Sequence, residues 1–209
     1  MIKTENLTFH YKEGEQAFSF PNINLKVQDD LLILGKSGIG KTTFLHLLAG
    51  LLQPVTGNII INDTNINTLS HSKLDKFRGK NIGLVFQKKH ALQSLSLAKN
   101  LEARLFFSNK AIDKSKIDAL LEELDLLEYK HKTLNTLSEG QLQRLGIAMA
   151  VIHQPKVILA DEPTSSLDDE NCKIVIELLK QQAKQNNAHL IVITHDARIK
   201  PFFQNTIAL

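Results

Sequence analysis

Gly35-Lys36-Ser37-Gly38-Ile39-Gly40-Lys41-Thr42 reads G-x-x-x-x-G-K-[ST] without a mismatch, and Thr43 carries it into an apolar stretch. Each position in this pattern has a mechanical task. Gly35, Gly38 and Gly40 let backbone N–H groups turn toward an anion, and the start of a following helix adds partial positive charge. Lys41 is placed to reach the β- and γ-phosphates of a nucleotide, and the Thr42 hydroxyl to ligate Mg²⁺. The pattern has this meaning only between a strand and a helix. Leu31–Leu34 is a short apolar run that predicts a buried strand, and FLHLLAG (Phe44–Gly50) predicts a helix that stops at its glycine. The stretch therefore predicts a nucleotide site in an α/β fold.

Working outward, Lys3–Tyr11 and NINLKV (Asn22–Val27) alternate as strands do, with Gly14 and Pro21 as breaks. NIIIN (Asn58–Asn62) and IGLVF (Ile82–Phe86, before Gln87) predict two more strands. Glycine is absent from Lys88 to Leu137, and Ile117, Leu120, Leu121, Leu124 and Leu127 recur at helical spacing, an apolar stripe for a core. A further helix is expected from Glu139 to about His153, and another over Asn171–Gln185. VILA (Val157–Ala160) and HLIVIT (His189–Thr194) are almost wholly apolar strands that end in Asp161-Glu162 and in His195. Strands alternating with helices predict a mainly parallel sheet. In such sheets ligands collect beyond the carboxyl ends of the strands, where these polar residues fall.

Composition narrows the setting. The chain has 209 residues, 43% hydrophobic and 22% charged, as in ordinary globular proteins. It has no apolar run long enough to cross a membrane, and MIKTENLTFHYKEGE at its start is polar, without a signal-peptide core. The lone Cys172 excludes an internal disulfide and reads as a structural bystander. A net charge of +3 is too small to imply nucleic acid, so Lys76–Lys80 and Lys88-Lys89 read as solvated surface. With 6% aromatic residues and no tryptophan, no base-stacking platform is evident.

Downstream of a phosphate loop, an apolar strand ending in Asp-Glu supplies the acidic half of an ATPase site. Asp161 is expected to hold Mg²⁺ and Glu162 to orient and deprotonate the attacking water. LSEGQLQR (Leu137–Arg144), VILADEPTSSLD (Val157–Asp168) and ITHD (Ile193–Asp196) complete a set that resembles the nucleotide-binding subunit of an ABC transporter, over Tyr11 to Asp196. The resemblance implies a P-loop NTPase of ABC type, α/β, with an N-terminal antiparallel β subdomain and an inserted α-helical subdomain. It implies one domain over residues 1–209, the helical subdomain occupying about 88–152. It further implies that Tyr11 stacks on adenine, with Phe9 or Phe18 as alternatives, and that Gln87 ligates Mg²⁺ and senses a membrane partner. By the same resemblance Ser138, Gly140 and Gln141 meet the γ-phosphate of ATP held by an opposite subunit. Asp168 crosses that interface, and His195, with Lys41 and Glu162, forms the catalytic set.

The implied activity is Mg²⁺-dependent ATP hydrolysis by a homodimer closed on ATP, beneath an integral-membrane permease subunit. That places the chain at the cytoplasmic face of the inner membrane, without nucleic acid. FRGKNIGLVFQ and ADEPTSSLD look closest to subunits of lipoprotein-releasing or macrolide-exporter systems. A soluble ABC ATPase acting on ribosomes or DNA is the alternative. Against it, ribosomal members resemble tandem pairs and DNA-repair members carry long coiled coils. Two departures stand out: Glu139 replaces the usual glycine and is expected to face solvent or a cation, and Met149 replaces an arginine.

Overall fold

The computed structural model describes residues 1–14, 17–26, 28–87, 91–165 and 167–209. Val27, Lys88-Lys89 and Ser166, which fall in stretches singled out above, lie outside the described residues. In chain order the elements are β1 (Ile2–Phe9), β2 (Phe18–Ser19), β3 (Asn24–Leu25), β4 (Asp30–Leu34), α1 (Lys41–Leu48), β5 (Thr56–Ile61), β6 (Thr64–Asn65), α2 (His71–Asn81) and β7 (Ile82–Val85). There follow α3 (Leu97–Phe107), α4 (Lys114–Glu123), α5 (Glu139–Val151), β8 (Val157–Asp161), α6 (Asp169–Gln185), β9 (His189–Thr194) and β10 (Thr206–Ala208).

Two sheets result. An antiparallel sheet runs β2-β1-β5-β6, with β3 also paired to β1. A parallel sheet runs β10-β4-β9-β8-β7. The parallel strands read as unbroken apolar runs because both faces are covered. Leu31, Ile33, Val157, Leu159, Ile191 and Ile193 face a core shared with α1 and the antiparallel sheet. Their alternating neighbours Leu32, Ile158, Ala160, Leu190 and Val192 face a second core, built with α3 to α6.

The register of this sheet brings its polar strand ends together. Leu34 is level with Thr194, Asp161 with Ile193, and Val85 with Ala160. The loops that leave β4, β7, β8 and β9 therefore open along one edge. Close approach of α5 to β7 requires Gly83, where a Cβ would lie 2.1 Å from the Ala150 carbonyl oxygen.

Several expectations change in detail. The first strand ends at Phe9 rather than Tyr11, which lies in a bend, and the described residues of the run from Asn22 contribute only Asn24–Leu25. The helix after the phosphate loop starts at Lys41, a turn before Phe44, because the loop itself delivers the chain into it. The leucine stripe does not continue to Leu127. Asp125, at φ 52, ends α4 and turns the chain into a short 3-10 turn where Leu127 is 39% exposed.

Candidate active site

The phosphate loop leaves β4 with the Gly35 N–H donating to the Thr194 carbonyl at 3.2 Å, so the loop is tied to the strand that carries His195. Gly40 ends the loop at φ 106, and a Cβ there would stand 2.8 Å from the Phe18 ring. No other residue fits both the backbone angle and that ring. Lys41, 6% exposed, folds back over the loop and donates to the Gly35 and Lys36 carbonyls at 2.9 and 3.0 Å. Its Nζ is 3.4 Å from Glu162 Oε1.

Thr42 Oγ1 donates to Asp161 Oδ2 at 3.0 Å, bridging the first turn of α1 to the end of β8. The other carboxylate oxygen, Asp161 Oδ1, is buried without a hydrogen-bond partner. Burial pushes this carboxyl above the usual aspartate range, the Thr42 hydroxyl works against that, and the neighbouring Glu162 charge adds to it. A buried carboxylate oxygen with no donor, next to a hydroxyl, fits a hard cation. Magnesium takes one or two carboxylates and completes its shell with water and substrate phosphates, so Thr42 and Asp161 suit it.

Glu162 lies one residue beyond β8 at φ 47, which turns its side chain back across β9. Oε2 accepts from Thr194 Oγ1 at 2.6 Å, and the His195 backbone N–H donates to the same carboxylate at 3.2 and 3.3 Å. His195 Nδ1 lies 3.0 Å from Oε1. Burial raises the Glu162 pKa, but the hydrogen bonds from Thr194 and His195 outweigh it and hold the carboxyl below the usual glutamate range. The group is thus ionised at neutral pH, as a base must be.

One cleft of about 330 Å³ joins Tyr11, Phe18, Ser37, Gly38, Gly40, Lys41, Thr42, Thr43, Gln87, Glu162 and His195. Tyr11 is 59% exposed at its mouth, with its hydroxyl 2.8 Å from Thr43 Oγ1. Its ring stands edge-on to Phe9 and Phe18, with centroids 4.9 and 6.4 Å away, so Tyr11 and Phe18 both offer aromatic surface there. Gly35, Lys36 and Ile39 of the loop are not among the described residues that line the cleft, nor is Asp161, which reaches the site through Thr42.

Ser138, Gly140, Gln141 and Asp168 are not brought to this cleft within one chain. Ser138 and Gln141 form a capping box at the start of α5, with the Ser138 N–H donating to Gln141 Oε1 at 2.8 Å. Asp168 caps α6, accepting from Asn171 N at 2.8 Å. Glu139 is exposed, and Met149 packs against the second core. The motifs give no role to Thr194, Thr164 and Arg198, although ITHDAR carries two of them. Nothing in a linear motif shows that a threonine hydroxyl will meet a glutamate from another strand.

Residues 20–165 match the family model described as ABC transporter. The chain belongs to the ABC transporter family. The lipoprotein-releasing system ATP-binding protein LolD of Buchnera aphidicola subsp. Acyrthosiphon pisum is 37% identical over 94% of this chain and 88% of its own length. The ATP-binding cassette MJ0796 of Methanocaldococcus jannaschii, solved as a dimer in a post-hydrolysis state with ADP and Pi, superposes with a TM-score of 0.89 at 32% identity, covering 100% of this chain and 94% of that one. The structure of cbiO1 from Clostridium perfringens, part of the transporter complex cbiONQ, has a TM-score of 0.88 at 28% identity over 99% and 83% of the two chains.

The fold is accordingly the ABC-type P-loop fold, and the chain is an ATP-binding subunit that hydrolyses ATP with Mg²⁺. The soluble, ribosome- or DNA-directed alternative is not favoured, because LolD is named as part of a lipoprotein-releasing system and cbiO1 as part of a transporter complex. Among the described residues no helix is long and apolar enough to cross a membrane.

Proposed function

We propose that this chain powers a separate integral-membrane subunit, working as a homodimer closed on ATP at the cytoplasmic face of the inner membrane. The observation that carries the reading is a second cavity, of about 380 Å³, away from the phosphate loop. Leu84, Phe86, Ala91, Phe107, Leu142 and Met149 line it, and Phe86 directly precedes Gln87 of the nucleotide cleft. Phe107 is 71% exposed at its edge. A mainly apolar groove, with Asp75, Arg78, Arg104 and Gln143 also in its lining, next to a residue of the ATP site lets a docked partner feel the nucleotide state. Met149, in place of the arginine, makes the groove wall less polar. The LolD relative supports lipoprotein release as the task of the complex.

Within the site, Lys41 and the loop N–H groups hold the β- and γ-phosphates, while Tyr11 receives the adenine. Thr42, Asp161 and Gln87 hold Mg²⁺, which when bound neutralises charge on the phosphoryl group being transferred. Glu162 orients the attacking water in line and accepts its proton on a carboxylate oxygen. His195 fixes that carboxylate through its backbone N–H and Nδ1. One chain leaves the far side of the γ-phosphate open. Ser138, Gly140 and Gln141 at the start of α5 close it from the opposite subunit, where helix N–H groups suit an anion, and Asp168 meets the facing site. The whole of residues 1–209 acts as one ATPase domain, with a helical subdomain over about 88–152 bearing the signature.

Tagged Glu162→Gln protein, recovered from detergent-solubilised host membranes with ATP and Mg²⁺, tests the membrane assignment. A stoichiometric integral-membrane protein is expected. Ribosomal or DNA-repair proteins with no membrane protein would overturn it.

A further inference from the structure

Glu162 and His195 stand at one end of a hydrogen-bonded chain that runs away from the phosphate loop. Thr194 Oγ1, which donates to Glu162, accepts from the backbone N–H of Asp196 at 2.9 Å. The Asp196 side chain is 8% exposed. Its Oδ1 accepts from Arg198 Nε at 2.9 Å, and its Oδ2 from Arg198 Nη2 at 2.8 Å and Thr164 Oγ1 at 2.9 Å. Arg198 also donates through Nη1 to Asp169 Oδ1 at 2.5 Å and through Nη2 to the Leu167 carbonyl at 3.2 Å. Leu167 and Asp169 flank Asp168, the residue that caps α6.

One guanidinium therefore joins stretches that follow different strands: Leu167 and Asp169 after β8, and Asp196 in the segment after β9 that carries His195. Arginine suits this place, because its planar fork serves a carboxylate through two nitrogens and still reaches two other acceptors. The Arg198 hydrogen bonds hold the Asp196 carboxyl down to about 2, burial opposing them, so the pair stays ionised at any working pH.

We propose that Arg198 is a positioning residue for ATP hydrolysis, latching the Asp168 loop to the His195 segment so that Glu162 keeps its orienting partners. This rests on the reading of Glu162 as the base. Arg198 is not among the residues that line the nucleotide cleft, so its effect belongs on turnover and not on ATP binding. A misplacement of about 1 Å in such a constellation costs up to about 10²-fold in rate.

The test is steady-state ATPase kinetics of the full chain carrying Arg198→Ala, Arg198→Lys, Asp169→Ala, or Arg198→Ala with Asp169→Ala. For Arg198→Ala the expected result is a fall in kcat of about tenfold with KM for ATP held within about twofold. Arg198→Lys stays low, because one ammonium cannot span the same acceptors. Asp169→Ala reproduces part of the loss, and the double variant is no worse than Arg198→Ala alone. Parental kcat in Arg198→Ala, full rescue by lysine, or additive losses would each overturn the latch. Should Arg198→Ala melt early, Asp169→Ala decides, since that side chain is 87% exposed and its loss leaves Asp196 paired; unchanged kcat there overturns the latch. Glu162→Gln run alongside separates the two claims. If it still hydrolyses ATP, the base assignment fails; if it is inactive while Arg198→Ala turns over normally, only the latch fails.

Discussion

Lys41→Ala is expected to weaken ATP binding by about 30- to 1000-fold. In the free protein the ammonium is satisfied by the Gly35 and Lys36 carbonyls at 2.9 and 3.0 Å, with Glu162 Oε1 at 3.4 Å. A bound triphosphate replaces these partners by phosphate oxygens. Two hydrogen bonds between charged groups contribute about 3–6 kcal/mol. The contacts given up in exchange leave a net loss of roughly 2–4 kcal/mol for the variant, which is the range of affinity quoted. Glu162 keeps its Thr194 and His195 donors in Lys41→Ala, so the fold around the carboxylate survives. Titration calorimetry with ATP and Mg²⁺, beside a melting curve, reads the effect. A folded Lys41→Ala protein whose Kd lies within about threefold of the parent would refute the phosphate-loop argument.

Two further predictions concern stability. His153 is buried against Ile82 and Arg104, and burial, then the Arg104 charge, push its pKa down to about 3. The unfolded chain takes up that proton near the ordinary histidine value while the folded one does not. Stability is therefore full at pH 7 and falls by about 2 kcal/mol toward pH 5 from this residue. Urea unfolding at both pH values should show this fall reduced in His153→Gln; an equally steep fall would contradict it. Gly40→Ala places a side chain at φ 106 and 2.8 Å from Phe18, a cost of about 1–3 kcal/mol before the ring moves. Calorimetric melting should drop by several degrees, with weaker ATP binding because Phe18 lines the cleft, and a parental melting temperature would argue against the strained loop.

The parallel strands were legible because burial on both faces leaves nothing but apolar residues in Leu31–Leu34, Val157–Ala160 and His189–Thr194. Their polar ends marked the site for the same reason. Other elements left no such trace. In α2, HSKLDKFRGKN buries Leu74 alone and contains a glycine, so neither stripe nor propensity announces a helix. Strand β10 is only Thr206–Ala208 and exists because β4 offers it a free edge. Leu127 continued the leucine spacing but not the helix, since the left-handed turn at Asp125 is a local event that spacing does not register. At the site, Gly35 to Thr42, Asp161, Glu162 and His195 could be named from motifs. The Thr194 hydroxyl on Glu162, and Arg198 spanning two loops, depend on a register between strands about thirty residues apart, which a linear reading does not contain.

Hydrolysis between two copies of this chain held together by ATP has a simple signature in light scattering on purified Glu162→Gln protein, with and without ATP and Mg²⁺. The mass is expected to double from 23.4 kDa when both are added and to return when ATP is removed. A variant that binds ATP and stays at monomer mass would contradict it.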